Sequence, residues 1–151
     1  FLKSDIGVLF TYANADFGGK TINNSIEDFC KLDTNKYKVV KSLGQLRYLS
    51  AMKHANLLIG NTSSGIIEAA SFYKPVVNIG NRQLGRLRGI NVIDCTIQEL
   101  YQSITLALSN DFIIKCQNQQ NIYGVGNASK HIVQKLIKQP LSVVKKFIDI
   151  K

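Results

Sequence analysis

Short, apolar, β-branched runs that alternate with stretches of helical period constrain this chain more than any other feature. Asp5 to Tyr12 reads as a strand, and Lys20 to Leu32 as an amphipathic helix with Ile22, Ile26, Phe29 and Cys30 on one face. Tyr37 to Ser42 is a second strand. Gln45 to Ala55 groups Leu46, Leu49, Met52 and Ala55 on one helical face and leads into a third strand, Leu57-Leu58-Ile59-Gly60. Ser64 to Phe72 is predicted helical, with Val76 to Ile79 and Asn91 to Asp94 as the fourth and fifth strands. Thr96 to Leu108 is a helix with Thr96 at the N-cap and Glu99 in the capping-box position. Gly124 to Asn127 makes a turn, and a last helix, Ala128 to Lys138, stops at Gln139-Pro140. Uninterrupted apolar strands suit a parallel sheet covered on both faces. The expected fold is therefore α/β, a doubly wound parallel sheet of Rossmann-like type, one domain over residues 1–151.

A length of 151 residues is enough for one ordinary core, and 45% apolar with 19% charged residues excludes a disordered chain. No apolar run approaches the ~18 residues of a membrane helix and no signal peptide heads the sequence, so the expectation is a soluble, cytoplasmic protein with no membrane partner. The chain opens on Phe1, and its first residues read as the tail of an element, the pattern expected of a piece of a longer protein. Cys30, Cys95 and Cys116 are far apart, form no C-x-x-C pair and stand beside no histidine at ligand spacing; they read as buried free thiols, with no metal expected. The formal net charge of +9 points to an anionic partner without choosing among phosphate, nucleic acid and lipid. Much of the excess comes from Lys130, Lys135, Lys138, Lys145, Lys146 and Lys151, which read as a solvated helix face.

In doubly wound sheets ligands bind beyond the carboxyl ends of the strands, so the residues just after each strand are the functional candidates. The richest stretch is Gly60-Asn61-Thr62-Ser63-Ser64-Gly65, which turns from strand three directly into a helix. First-turn amides lack internal acceptors, and with three hydroxyls beside them they form a cradle for a diphosphate. Glu68, one turn on, is placed to accept hydrogen bonds from two vicinal ribose hydroxyls. The same residues would also serve merely to cap a helix, with Glu68 complementing its dipole. The second stretch, Asn78 to Gly89, carries Arg82, Arg86 and Arg88 between glycines and reads as a flexible cationic lid, with Gly85 and Arg86 as its mobile part; a plain solvated loop is the alternative. His54 and His131 read as structural. Asn14 and Asp16 follow strand one, where Asx residues commonly form turns. Tyr123-Gly124-Val125-Gly126-Asn127 is too short for a dinucleotide fingerprint and reads as a tight turn bordering the pocket.

Three runs, in order, carry a family resemblance: Ile59-Gly60-Asn61-Thr62-Ser63-Ser64-Gly65-Ile66-Ile67-Glu68-Ala69, then Pro75-Val76-Val77-Asn78-Ile79-Gly80-Asn81-Arg82-Gln83 with Gly85-Arg86, then Asn91-Val92-Ile93-Asp94. With Thr11-Tyr12, Asn14-Ala15-Asp16 and Tyr123-Gly124, Gly126-Asn127-Ala128 added, the chain resembles the hydrolysing UDP-N-acetylglucosamine 2-epimerases over nearly its whole length. That family has two Rossmann-like domains in the GT-B arrangement, and this chain resembles the C-terminal one only. The resemblance implies that Thr62, Ser63, Ser64 and Gly65 hold the diphosphate, Glu68 the ribose, and Arg82 the phosphates or the bound product. It places uracil against Leu43-Gly44-Gln45. The implied reaction is anti-elimination of UDP across C1 and C2 of the sugar, then hydration of the glycal to an N-acetylmannosamine-type product. Neither cofactor nor metal is implied. The family's acids and bases lie in the N-terminal domain and upstream of Phe1, so no catalytic residue is expected in this fragment. The expected partners are UDP, a UDP-amino sugar, the missing N-terminal domain and, at full length, a second copy of the protein. The substrate is either UDP-N-acetylglucosamine or a UDP-diacetamido-trideoxy sugar.

Two rivals of other kinds stand beside this reading. A retaining GT-B glycosyltransferase would carry a second acidic residue about seven positions from Glu68, which neither Asn61 nor Phe72-Tyr73-Lys74-Pro75 supplies. A basic nucleic-acid-binding module would bind in a steeply salt-dependent way and ignore uridine, but the aromatic platforms interleaved with basic residues that it needs are absent.

Overall fold

The computed structural model describes residues 6–15 and 17–140. Asp16 and Lys145, Lys146 and Lys151, singled out above, lie outside the described residues. The chain divides into two compact units, residues 1–54 and 55–151. Each carries parallel strands with helices, the α/β Rossmann-like class expected from the alternating pattern; the pairings run within two sheets, one per unit.

In the first unit β1 (Val8–Thr11) pairs in parallel with β2 (Tyr37–Val40), Val8 opposite Tyr37 and Thr11 opposite Val40. Parallel neighbours need a crossover, and α1 (Gly19–Cys30) supplies it. Phe29 on α1 packs edge-on to Phe10 at 5.9 Å between ring centroids and lies 4.7 Å from the ring of buried Tyr37. The Tyr12 hydroxyl donates to the Glu27 carboxylate. α2 (Gly44–His54) follows, and of its apolar face Met52 is buried while Leu46 is exposed.

In the second unit the order is β3-β4-β5, all parallel, formed by Leu58–Gly60, Val76–Ile79 and Val92–Cys95. Central β4 is buried through Val76, Val77 and Asn78, whereas Ile59 on the outer strand β3 is exposed. An outer strand has a partner on one side only, so an apolar run does not ensure burial there. Val77, Cys95, Ile104 and Ala107 form the core, with Leu57, Ile79, Ile93 and Leu100 against it. Full burial of a side chain such as that of Val77 or Ile104 contributes roughly 1.5–3 kcal/mol relative to exposure. α4 (Leu100–Ala107) covers the sheet, and α5 (Asn110–Gln117) and α6 (Ala128–Lys138) follow.

Three expectations need correction. The helix placed at Ser64 to Phe72 is two pieces, α3 (Ser63–Ile67) and a 3-10 turn at Ala69–Phe72 that ends at left-handed Tyr73. The left-handed Tyr73 closes the turn, and Pro75 disfavours helical backbone at Lys74 beyond it. The helix placed at Thr96 to Leu108 begins at Leu100, with Glu99 rather than Thr96 in the flanking position. α5 had been left unassigned; Ser109 caps it by accepting from the Phe112 amide at 3.3 Å. The three cysteines are free and buried, as expected.

Candidate functional site

Register decides where the site of the second unit falls. Gly60 lies opposite Asn78, and Asn78 opposite Asp94, so these three residues stand in a row near the carboxyl ends of β3, β4 and β5. Two loops leave this row, one after Gly60 and one after Ile79.

The first is the serine loop. Gly60 has φ 150°, a backbone region that side chains rarely adopt, and this lets the strand turn at once into the loop. Thr62 is the N-cap of α3, its hydroxyl accepting from the Ser64 amide at 3.3 Å. Gly65 sits against β4: a Cβ there would lie 3.1 Å from Cγ1 of Val76. The Ser64 hydroxyl donates to the exposed carboxylate of Glu68, one turn on. Because α3 is only five residues long, its aligned dipole is slight, and the donors of this loop are individual amides and hydroxyls.

The second loop, residues 80–91, is the crossover between parallel β4 and β5, and it carries turns instead of a helix. Its amides close back on it, Leu84 to the Asn81 carbonyl at 2.9 Å and Arg86 to that of Gln83 at 3.2 Å. Gln83 is buried and reaches the serine loop, its Nε2 donating to the Asn61 carbonyl at 2.8 Å. Arg82 Nη1 meets the same carbonyl at 3.5 Å. Arg82 is thereby tied to the residue that precedes Thr62, Ser63 and Ser64.

The structure does not support a flexible lid of three arginines. Arg88 is held inward: Nε donates to Asp94 at 3.1 and 3.3 Å, and Nη1 to the carbonyls of Gln83, at 2.8 Å, and Arg86. Asn78, almost fully buried, donates through Nδ2 to the same carboxylate at 2.6 Å. Arg86 and Gly85 remain at the exposed tip, Gly85 with φ 84°.

A third segment joins these two. Asn121 Nδ2 donates to the Ile67 carbonyl and the Ser71 hydroxyl, both at 2.8 Å, and the Tyr123 hydroxyl donates to the Leu87 carbonyl at 2.9 Å. Through Tyr123 the turn at 123–127 thus meets the crossover loop, and Gln83, Asn121 and Asp94 contact the two loops although the sequence reading gave them no role. Leu43, Gly44 and Gln45 belong to the first unit, at the start of α2, where Gly44 has φ 64°. His54 and His131 are exposed, on α2 and α6. Among the described residues no group of three or more His, Cys, Asp or Glu is placed to hold a metal, and no helix is long and apolar enough to cross a membrane.

Parallel strands, a hydroxyl-rich loop at their carboxyl ends and a cationic crossover beside it define the Rossmann-like class. Within that class the chain belongs to the UDP-N-acetylglucosamine 2-epimerase family, which matches it over residues 2–137. It is 45% identical, over 70% of its length, to the GDP/UDP-N,N'-diacetylbacillosamine 2-epimerase (hydrolyzing) of Campylobacter jejuni, of which it covers 27%. It is 34% identical over 99% of its length to the polysialic acid biosynthesis protein P7 of Escherichia coli, covering 39% of that protein. To the UDP-N,N'-diacetylbacillosamine 2-epimerase (hydrolyzing) of Legionella pneumophila it is 33% identical over 93% of its length, covering 36%. The chain thus spans between a quarter and two fifths of these curated relatives.

Proposed function

We propose that this chain is the nucleotide-holding, C-terminal half of a hydrolysing UDP-amino-sugar 2-epimerase. The observation that carries this reading is the meeting of the serine loop and the arginine loop at the Asn61 carbonyl, to which both Arg82 and Gln83 donate. Family membership and the partial coverage of the relatives support it.

In this reading Thr62, Ser63, Ser64 and Gly65 hold the diphosphate. Arg82 sits on the phosphates, where charge builds as UDP departs. Glu68 exchanges its Ser64 partner for the ribose hydroxyls. Arg86, at the loop tip, closes over the ligand with Gly85. On the resemblance alone, Leu43, Gly44 and Gln45 are proposed for uracil. The reaction removes the C2 proton and the UDP leaving group to give a glycal, and addition of water then yields the 2-epimeric sugar. The base for C2 comes from outside this chain, so the chain binds UDP and does not turn over. The whole protein is a cytoplasmic homo-oligomer. Two of the relatives are named for diacetylbacillosamine, which favours a UDP-diacetamido-trideoxy sugar as substrate.

Calorimetric titration of the chain with UDP, GDP and ADP at two salt concentrations tests this. Saturable binding with UDP preferred to ADP is expected, weakened roughly tenfold in Glu68→Ala by loss of charge-assisted bonds to ribose. Binding that ignores the base and collapses with salt would instead favour a nonspecific polyanion surface.

A further inference from the structure

Of the three arginines in the crossover loop, Arg88 is the one whose guanidinium is directed inward, and its partner was not among the residues expected to matter. Asp94 stands in the row Gly60, Asn78, Asp94 at the carboxyl ends of the strands. Its carboxylate takes both the Arg88 Nε and the Asn78 amide. Asn78 is 1% exposed on the central strand, so it is a fixed point that holds the Asp94 carboxylate to which Arg88 is tied. With Nε occupied by Asp94, Arg88 Nη1 gathers the carbonyls of Gln83 and Arg86 from within the same loop. The side chain of Gln83 then ties to the serine loop through Asn61.

We propose that Asp94 is a positioning residue for the nucleotide site: through Arg88 it folds the crossover loop into the shape that presents Arg82 and Arg86 to a diphosphate. The functional half of this inference rests on the diphosphate reading given above. The chain of contacts runs strand, carboxylate, guanidinium, loop backbone, serine loop, and every link is a hydrogen bond. Residues 84–87 of this loop are exposed and pack little, so the shape of its tip depends on hydrogen bonds, these and that of the Tyr123 hydroxyl to the Leu87 carbonyl. Removing Asp94 leaves Arg88 to follow solvent and frees residues 82–88 to spread over many conformations, which weakens a ligand that needs one of them.

The test uses Asp94→Asn and Arg88→Met, singly and together, with two readouts. Without ligand, hydrogen exchange at the amides of Leu84 and Arg86 is expected to quicken in each variant while the amides of β4 stay protected. With UDP, each single variant is expected to bind roughly tenfold more weakly, and the double variant no more weakly than either single one, because both act through one contact. Unchanged exchange at Leu84 and Arg86 would overturn the brace. Quickening that spreads through β4 would also overturn it, since Asp94 would then serve stability alone. UDP affinity unchanged in both variants would overturn the link to binding. Absence of UDP binding by the unaltered chain would overturn the diphosphate reading itself and with it the functional half of the inference, while the exchange readout would still decide whether the brace orders the loop.

Discussion

Gly89 is a residue at which one methyl group has a calculable effect. A Cβ there would lie 2.5 Å from Asn91 Oδ1 and 3.2 Å from Gln119 Oε1. Asn91 cannot easily move aside, because it is fully buried and donates to the Lys74 carbonyl at 2.9 Å. Gly89→Ala is therefore expected to destabilise the chain by about 1–3 kcal/mol, the range for overpacking. A lower urea midpoint with an unchanged slope would bear this out, and an unaltered midpoint would count against it. At this scale the sequence was half legible. The serine loop could be read because its hydroxyls, glycine and carboxylate are consecutive, and Thr62, Ser64 and Glu68 do interact. Gln83 and Asn121 could not, because their partners Asn61 and Ile67 lie 22 and 54 positions away, and no local pattern announces such a bond.

Among the elements, the start of α4 shows how a local motif can be right in chemistry and wrong in position. Glu99 does reach back to Thr96, accepting from its amide at 2.9 Å and its hydroxyl at 2.8 Å, yet the helix begins only at Leu100. The amide first and then the hydroxyl of Thr96 hold the Glu99 carboxyl below the ordinary carboxylate range. A depressed folded pKa contributes stability above the unfolded value, and that contribution is lost as pH falls through the folded value. Glu99→Gln should therefore lower the urea midpoint near neutrality, slightly because Glu99 is exposed, and the gap should close as the solution is acidified below the ordinary carboxylate value. A gap that stays constant down to strongly acid pH would contradict the assignment. All five strands were legible in place, β4 residue for residue, since β-branched runs bounded by Pro75 and Gly80 admit few readings, whereas β1 and β2 were read longer than their four residues. α5 was not, for its eight residues fall short of a full periodic pattern, although Ser109 followed by Asn110 and Asp111 was an available start signal.

For the whole molecule, the chain covers between 27% and 39% of the three relatives compared above, and apart from the Glu68 carboxylate, assigned to ribose, the groups of the proposed site are donors and cations. Those suit a departing diphosphate and leave proton abstraction from carbon unserved. The chain alone is accordingly expected to release no free sugar from UDP-N-acetylglucosamine or a diacetamido analogue, even at high protein concentration. Product seen by mass spectrometry above a Glu68→Ala control would overturn the division of labour. The α/β class was legible from alternation alone; the grouping of strands into sheets was not, because pairing depends on contacts that no single run encodes.

Arg82 and Gln83 both donate to one carbonyl, that of Asn61, and the two loops they connect are thereby tied as a pair. Recombination that exchanged the serine loop with a distant relative and kept the crossover would leave a buried glutamine facing an unmatched backbone. Exchange of residues 60–94 as one cassette keeps the carbonyl, both donors and the Asp94 anchor together. The natural unit for grafting the proposed phosphate grip is therefore the β3-to-β5 segment.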